Sequence, residues 1–277
     1  MVGLEISDHS LKFLELLKND LGYKLGRFGE IALPDGTVVN GQLKDWKKLY
    51  ELLLKLKNWS GFELVQVVLP DQLLDWQKET VHGVDDYRKV FLTADLRPRN
   101  FELASQALAR IFLPNQKTKI VFLNLDDFHT SLGLMENNEL VDLIVWPLGG
   151  ELFNQHLKRS LNLDLAQARE LKMSIGLDRA RGRRQVLGAL APVVSVLRDE
   201  IEKQRKIWSV SDHLVLSGQQ ALIPGLPEYL SSHLDCVVDL ANPWQKIFSE
   251  PRAVGELTYA EALRFGPVIG ASLVEFV

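Results

Sequence analysis

A single cysteine in 277 residues removes two kinds of chemistry at once: Cys236 has no second thiol for an internal disulfide and no companions for a zinc cluster. A lone thiol suits a reducing compartment and the role of a small buried hydrophobe. Basic excess is lacking too, since 32 Lys and Arg stand against 36 Asp and Glu, for a net charge of -4 and a pI near 5.9. No global field draws the chain to nucleic acid or an anionic membrane, so any such contact must be local. Uncharged apolar runs fall short of the ~20 residues that span a bilayer, and no charged segment leads into an apolar one at the N-terminus. The expectation is a cytoplasmic protein. Also missing are the G-x-S-x-G nucleophile elbow, the P-loop and the dinucleotide glycine pattern.

What is present is an ordinary globular balance of 46% hydrophobic and 25% charged residues, which argues against disorder. The length suits one large domain or two lobes. Residues 2 to 6 and 10 to 17 read as strands separated by Ser7, Asp8 and His9, and Tyr23 to Leu33 adds a third before the Pro34-Asp35-Gly36 turn. Leu43, Trp46, Leu49, Tyr50, Leu53, Leu54 and Leu56 fall at helical spacing, and Glu63 to Leu69 reads as a buried strand. The same order returns about 119 positions later, counted from Ser7 to Asp126: strands at 119–125, 130–135 and 139–146, a helix from Gly149 and a strand at 213–217. That repeat predicts a structural duplication. Phe101 to Phe112, 164–174 and 189–207 read as amphipathic helices, the last burying Val193, Val194, Leu197, Ile201 and Trp208. Pro224-Gly225-Leu226-Pro227 opens a helix ending near Leu234, a strand follows at 236–239, and Tyr259 to Val277 is a closing helix broken at Gly266-Pro267.

Three stretches carry a family resemblance: VGLEISDHSLKFLEL from Val2, VFLNLDDFHTSLGL from Val121 and HLVLSGQQALIPGLPEYL from His213. They resemble the two phosphate hairpins and the adenosine loop of actin-like ATPases, in the branch of PilM-type pilus assembly proteins. Leu33 to Asn40 with the following helix, Leu216 to Leu230, and Asn242-Pro243 favour this branch over the FtsA relatives. The resemblance implies an α/β fold of the actin-like, duplicated RNase H-like kind. Its two lobes are expected at 1–115, with a shortened insertion near 71–98, and at 116–277, around a cleft toward which both hairpin turns point.

The family's first hairpin, D-I-G-S-S-S-V-K, falls here on Glu5, Ile6, Ser7, Asp8, His9, Ser10, Leu11 and Lys12. The second, D-I-G-x-x-x-T, falls on Asn124, Leu125, Asp126, Asp127, Phe128, His129 and Thr130, and the adenosine loop S-G-G-G on Ser217, Gly218, Gln219 and Gln220. Gly149 and Gly150 match the family's paired glycines. In the connecting helix Arg169 takes a glutamate position while Lys172 is kept. If the nucleotide site is retained, its residues are therefore Glu5, Ser7, Ser10, Lys12, Asn124, Thr130, Gly149, Gly150, Lys172, Gly218, Gln219 and Gln220, with ATP and magnesium as cofactors. The departures argue for loss instead: phosphate needs close backbone and no negative charge, yet Asp8, Asp126 and Asp127 are carboxylates. Like charges about 4 Å apart repel by roughly 4 kcal/mol at an effective dielectric of about 20. No catalytic residue and no required cofactor are expected.

The resemblance implies a cytoplasmic scaffold of a type IV pilus platform. It would clamp the cytoplasmic tail of a PilN-like inner-membrane protein, with the assembly ATPase as a further candidate partner. Two alternatives stay open: an ATP-binding actin-like switch, and the cytoplasmic domain of a type II secretion platform. Asp8, His9, Asp126, Asp127 and His129 form a candidate metal set should the hairpins face each other, against the plainer reading of solvated turns. Arg179, Arg181, Arg183 and Arg184 form a basic run suited to acidic lipid or an acidic partner, or simply to a solvated helix end. The six tryptophans are scattered and read as packing residues.

Overall fold

The computed structural model describes residues 1–19, 22–75, 78, 80–112, 119–137, 139–181, 184–210, 212–245, 247 and 257–274. Ser7 to His9 cannot continue an extended ladder, so β1 (Val2–Ile6) turns there into β2 (Ser10–Asn19) with Val2 opposite Glu15 and Ile6 opposite Leu11. β3 (Gly22–Ala32) completes the meander, and a two-residue hairpin follows, β4 (Val38–Val39) with β5 (Gln42–Leu43). α1 (Trp46–Ser60) starts at Asp45, whose carboxylate accepts from Lys48 N at 3.2 Å. It ends at left-handed Gly61.

β6 (Leu64–Leu69) lies parallel to β1. Next come β7 (Leu74–Asp75) paired with β8 (Thr80–Val81), α2 (Val84–Thr93), and β9 (Arg97–Leu103) parallel to β6. The segment near 71–98, expected as a shortened insertion, forms the crossover that two parallel neighbours require. One expectation is corrected: Phe101 to Phe112 is not all helix, since Phe101, Glu102 and Leu103 pair with Val67, Val68 and Leu69, and α3 (Ala104–Phe112) begins only after them. An apolar run of that length suits strand or helix, and the neighbouring strand decides.

The second unit repeats the order. β10 (Ile120–Leu125), β11 (Thr130–Glu136) and β12 (Glu139–Trp146) form the meander, with α4 (Gly150–Leu161), α5 (Leu165–Ser174) and α6 (Arg184–Trp208) after it. β13 (His213–Ser217), α7 (Leu226–Leu234) and β14 (Val237–Leu240) complete it. The sheets read β3-β2-β1-β6-β9 and β12-β11-β10-β13-β14, so the duplication is position for position. In the second unit, Val121, Leu123 and Leu216 meet Phe153, Leu157, Val194, Leu197 and Ile201 in one core. In the first, Leu4, Ile6, Val65 and Val67 meet Leu49, Leu53, Tyr87 and Phe91. No helix among the described residues is long and apolar enough to cross a membrane.

The first unit gathers the described residues to Phe112 and those from Asn242 onward, the second those from 119 to Ala241. The boundary expected at 116–277 is therefore corrected: α8 (Tyr259–Arg264) and α9 (Gly266–Ser272) belong with the N-terminal sheet. Glycine makes this possible, because a Cβ on Gly3 would lie 2.4 Å from Val268 O and one on Gly270 only 1.9 Å from Ala107 O. Arg110 Nη1 adds a hydrogen bond to Gly270 O at 3.3 Å. Gly270→Ala should push α9 off α3 and lower unfolding stability by about 1–3 kcal/mol in urea titration.

Candidate functional site

The first hairpin turn is closed by its own side chains. Ser7 Oγ accepts from Ser10 N at 3.0 Å, Ser7 N donates to Ser10 O at 2.9 Å, and Leu33 N donates to His9 O at 2.8 Å. Asp8 reaches out of the turn to a second hairpin. Its carboxylate accepts from Asn40 N at 2.7 Å and Gly41 N at 2.8 Å, the two central residues of the β4–β5 hairpin. Both have positive φ, 50° and 76°, so their N–H groups form a small concavity that holds an anion. Tyr87 Oη donates to Gly41 O at 2.7 Å from the far side, and burial, with a smaller push from the Asp8 charge, raises its phenol above the ordinary range. Asn40, Gly41 and Tyr87 are site residues the sequence reading missed. The Asn-Gly pair between two valines and Gln42-Leu43 was a signal for the hairpin, though not for its anion.

Glu5 and Lys12 face each other across β1 and β2 with Nζ to Oε2 at 3.3 Å, and only 6% and 8% of each remains exposed. Burial raises the Glu5 pKa, Lys12 pulls it back, and Glu30 and Asp71 add repulsion. Asp71 accepts from Ser105 N at 2.9 Å and Ser105 Oγ at 2.7 Å at the start of α3. Ser10 is buried beside Ser7.

The second turn, Asp126 to His129, is closed by Asp126 N donating to His129 O at 3.0 Å. It also serves as the cap of α4. Gly150 N donates to Asp126 O at 2.9 Å, Glu151 N to Asp127 O at 2.7 Å, and Leu152 N to Gly149 O at 3.0 Å. The first N–H groups of that helix, a ready anion site when open, are thus taken by the chain itself. Thr130 Oγ1 donates to Leu148 O. The paired glycines have a packing reason: a Cβ on Gly149 would lie 2.6 Å from Asp127 O and one on Gly150 2.3 Å from Gln220 Cδ.

Gln220 comes from the short 3-10 turn Gln219–Leu222 after Gly218, whose φ of 83° brings it within 2.4 Å, Cβ site to oxygen, of Leu125 O. Its buried amide lies on Gly150, and Nε2 donates to Asp127 Oδ1 at 2.6 Å. Gln219 is half-buried. Asn124 Nδ2 donates to Asp126 Oδ2 at 2.8 Å. Among the described residues of this turn region, the buried oxygens Asn124 Oδ1, its cross-strand neighbour Ser217 Oγ, and Gln220 Oε1 have no hydrogen-bond partner.

Lys172 Nζ donates to Gly150 O at 3.1 Å, and burial lowers its pKa to about 8, with Asp127 and Glu151 opposing. Arg169, in the family's glutamate position, reaches Glu151 Oε2 at 3.2 Å. Burial raises Glu151, yet hydrogen bonds from Asn154, Gln155 and Arg169 hold it below its usual value. Among the described residues no group of three or more His, Cys, Asp or Glu is placed to hold a metal. The set Asp8, His9, Asp126, Asp127 and His129 is engaged otherwise: Asp8 holds the β4–β5 hairpin, while Asp126 and Asp127 hold Asn124 and Gln220. Of the basic run, Arg179 and Arg181 lie in a 3-10 turn where Arg181 pairs with Asp178 at 3.0 Å, and Arg184 opens α6. Arg183, like Trp76, lies outside the described residues.

The profile of the family described as type IV pilus assembly protein PilM matches residues 77–273, well over half of the chain. No curated protein sequence matches it. Among solved structures, the chain is similar to a PilM–PilN type IV pilus biogenesis complex at 19% identity and a TM-score of 0.75, covering 99% of this chain and 97% of that one. MreB 5 of Spiroplasma citri bound to AMPPNP follows at 11% identity and 0.69, covering 99% and 95%. Ethanolamine utilization protein EutJ from Carboxydothermus hydrogenoformans gives 14% identity and 0.65, covering 95% and 89%. These likenesses establish the actin-like fold.

Two variants separate the roles of the site's charges. Asp8→Ala should lower stability by about 1.5–3 kcal/mol, the worth of hydrogen bonds to a charged group, whereas a carboxylate facing solvent would leave urea unfolding unchanged. For Lys172, between about pH 8 and the unfolded value of 10.5 the unfolded chain keeps the proton and the folded chain has released it. Its contribution to stability therefore rises with pH across that window, and the full cost, on the order of 3 kcal/mol, is borne below it. Lys172→Met should be more stable than the parent at pH 7 by about 1–2 kcal/mol after loss of the Gly150 hydrogen bond. The gap should close by pH 10.5 in urea titrations.

Proposed function

The chain belongs to the PilM family of type IV pilus assembly proteins, and from that premise we propose that it is a non-catalytic scaffold of the pilus platform. It binds the cytoplasmic tail of a PilN-like inner-membrane protein, sits at the membrane through that partner, and works without a nucleotide. The observation that carries this reading is the Gln220 amide, seated on Gly150 and bonded to Asp127 where the family's adenosine loop has glycine. In that same unit the first α4 N–H groups hold backbone carbonyls, and in the first unit the Asp8 carboxylate holds the Asn40 and Gly41 amides. A phosphate at either turn would have to displace the contacts of that turn, and exchanging one satisfied anion site for another gains little. The support for the partner is the structural likeness to a complex whose description names PilM and PilN.

A second reading, an ATP-binding switch, draws on one observation: the unpartnered buried oxygens of Asn124 and Ser217 at the ends of β10 and β13. A ligand bearing donors would satisfy them.

Titration of a PilN-type tail peptide into the full chain, with and without ATP and magnesium, decides between the two. The scaffold reading expects tail binding whose affinity changes by less than about twofold on adding nucleotide. A tail affinity that moves about tenfold with ATP supports the switch, since coupling of that size requires nucleotide in the protein. Absence of tail binding under both conditions would overturn the scaffold.

A further inference from the structure

Among the described residues β14 is the last strand of its sheet, and its outer edge carries a feature outside the site above. Val237 N donates to Asp212 O at 3.1 Å and Ala241 N to Leu216 O at 2.8 Å, both toward β13. Strand alternation then turns the N–H and C=O of Val238 and Leu240 away from β13. At the start of the strand, Asp212, Ser231, Asp235, Cys236, Val237 and Val238 line an open groove of about 530 Å³. Its apolar share comes from Val237, which is 58% exposed, Val238 and the half-buried Cys236, whose thiol burial pushes up. Its rim is acidic, through Asp212, Asp235 and, further along the strand, Asp239, which keeps 62% of its side chain exposed while pairing with His213 at 2.8 Å.

The duplicated counterpart shows how such an edge is blunted. β9, the outer strand of the first sheet, reads Arg-Pro-Arg-Asn at its start, and Arg97 N donates inward to Glu63 O at 2.7 Å. Alternation then sets Pro98, which has no N–H, on the outer edge. Proline and exposed arginines guard that edge. β14 has no proline, and its charges are of the opposite sign.

We propose that β14 is a docking edge for an extended basic segment of a partner protein, which adds a strand through Val238 and Leu240 and sets Lys or Arg against Asp235 and Asp239. Main-chain pairing supplies affinity, and alternate side chains supply specificity. A second copy of this chain is the less suitable occupant, because two β14 edges would bring their acidic rims together.

The test uses the full chain and two end-capped octapeptides, one alternating Lys and Val, the other Glu and Val, followed by hydrogen exchange. The lysine peptide should slow exchange at residues 237–241 and lose affinity about tenfold in the double variant Asp235→Asn, Asp239→Asn, as expected for rim charges that steer binding. Both positions are exposed, so the variant should keep the parent's unfolding midpoint. The glutamate peptide should leave exchange unchanged. Equal binding of both peptides, protection elsewhere, or an affinity indifferent to the double variant would overturn the proposal. So would concentration-dependent protection of 237–241 in the protein alone, which would make the occupant a second copy.

Discussion

A polar group drawn into a protein must find a partner, and both hairpin turns of this chain find theirs within their own unit. In the first, the partner is a concavity of two amides, Asn40 and Gly41, closed around the Asp8 carboxylate. In the second, the turn's carbonyls cap α4 and its Asp127 side chain takes the Gln220 amide. Everything else at the strand ends follows from these contacts: the glycines at 149 and 150 let Asp127 and Gln220 close in, and Lys172 braces Gly150 from behind. Asn124 Oδ1, Ser217 Oγ and Gln220 Oε1 stand apart, as buried oxygens that these contacts leave without a partner.

The two units solve one topological problem with different chemistry. Both place a strand–turn–strand hairpin at the centre of a five-stranded sheet with a parallel strand beside it. Each turn is closed on itself by a backbone bond, Ser7 N to Ser10 O in the first and Asp126 N to His129 O in the second. In the first unit the Asp8 carboxylate also ties the turn to a hairpin 32 residues along the chain, and in the second the turn's carbonyls tie it to the helix that follows the meander.

Much of this frame was legible in the sequence, because each signal was local. Alternation and turn residues predict strands at 2–6, 10–17 and 130–135, and the leucine spacing from Leu43 to Leu56 predicts α1, which Asp45 starts slightly later. The changes of residue at the family's phosphate positions were also readable one by one. What failed was non-local. Phe101 to Leu103 became strand because β6 offered a free edge, and α8 and α9 left the second unit because Gly3 and Gly270 admit close helix packing on the first sheet. The segment near 71–98, expected as a shortened insertion from the family resemblance, forms the crossover between the parallel strands β6 and β9. Asp8 and Gln220 stand out in the sequence as departures from the family pattern, but their partners lie 32 and 93 residues away, and no spacing rule reaches so far.

The proposal that this protein works without a nucleotide is tested most directly by unfolding measured in millimolar ATP with magnesium. A ligand that binds only the folded state raises stability, by about 2.7 kcal/mol at a hundred times its Kd. The account predicts a urea midpoint unchanged by ATP and magnesium relative to magnesium alone; a midpoint that rises with ATP concentration would contradict it.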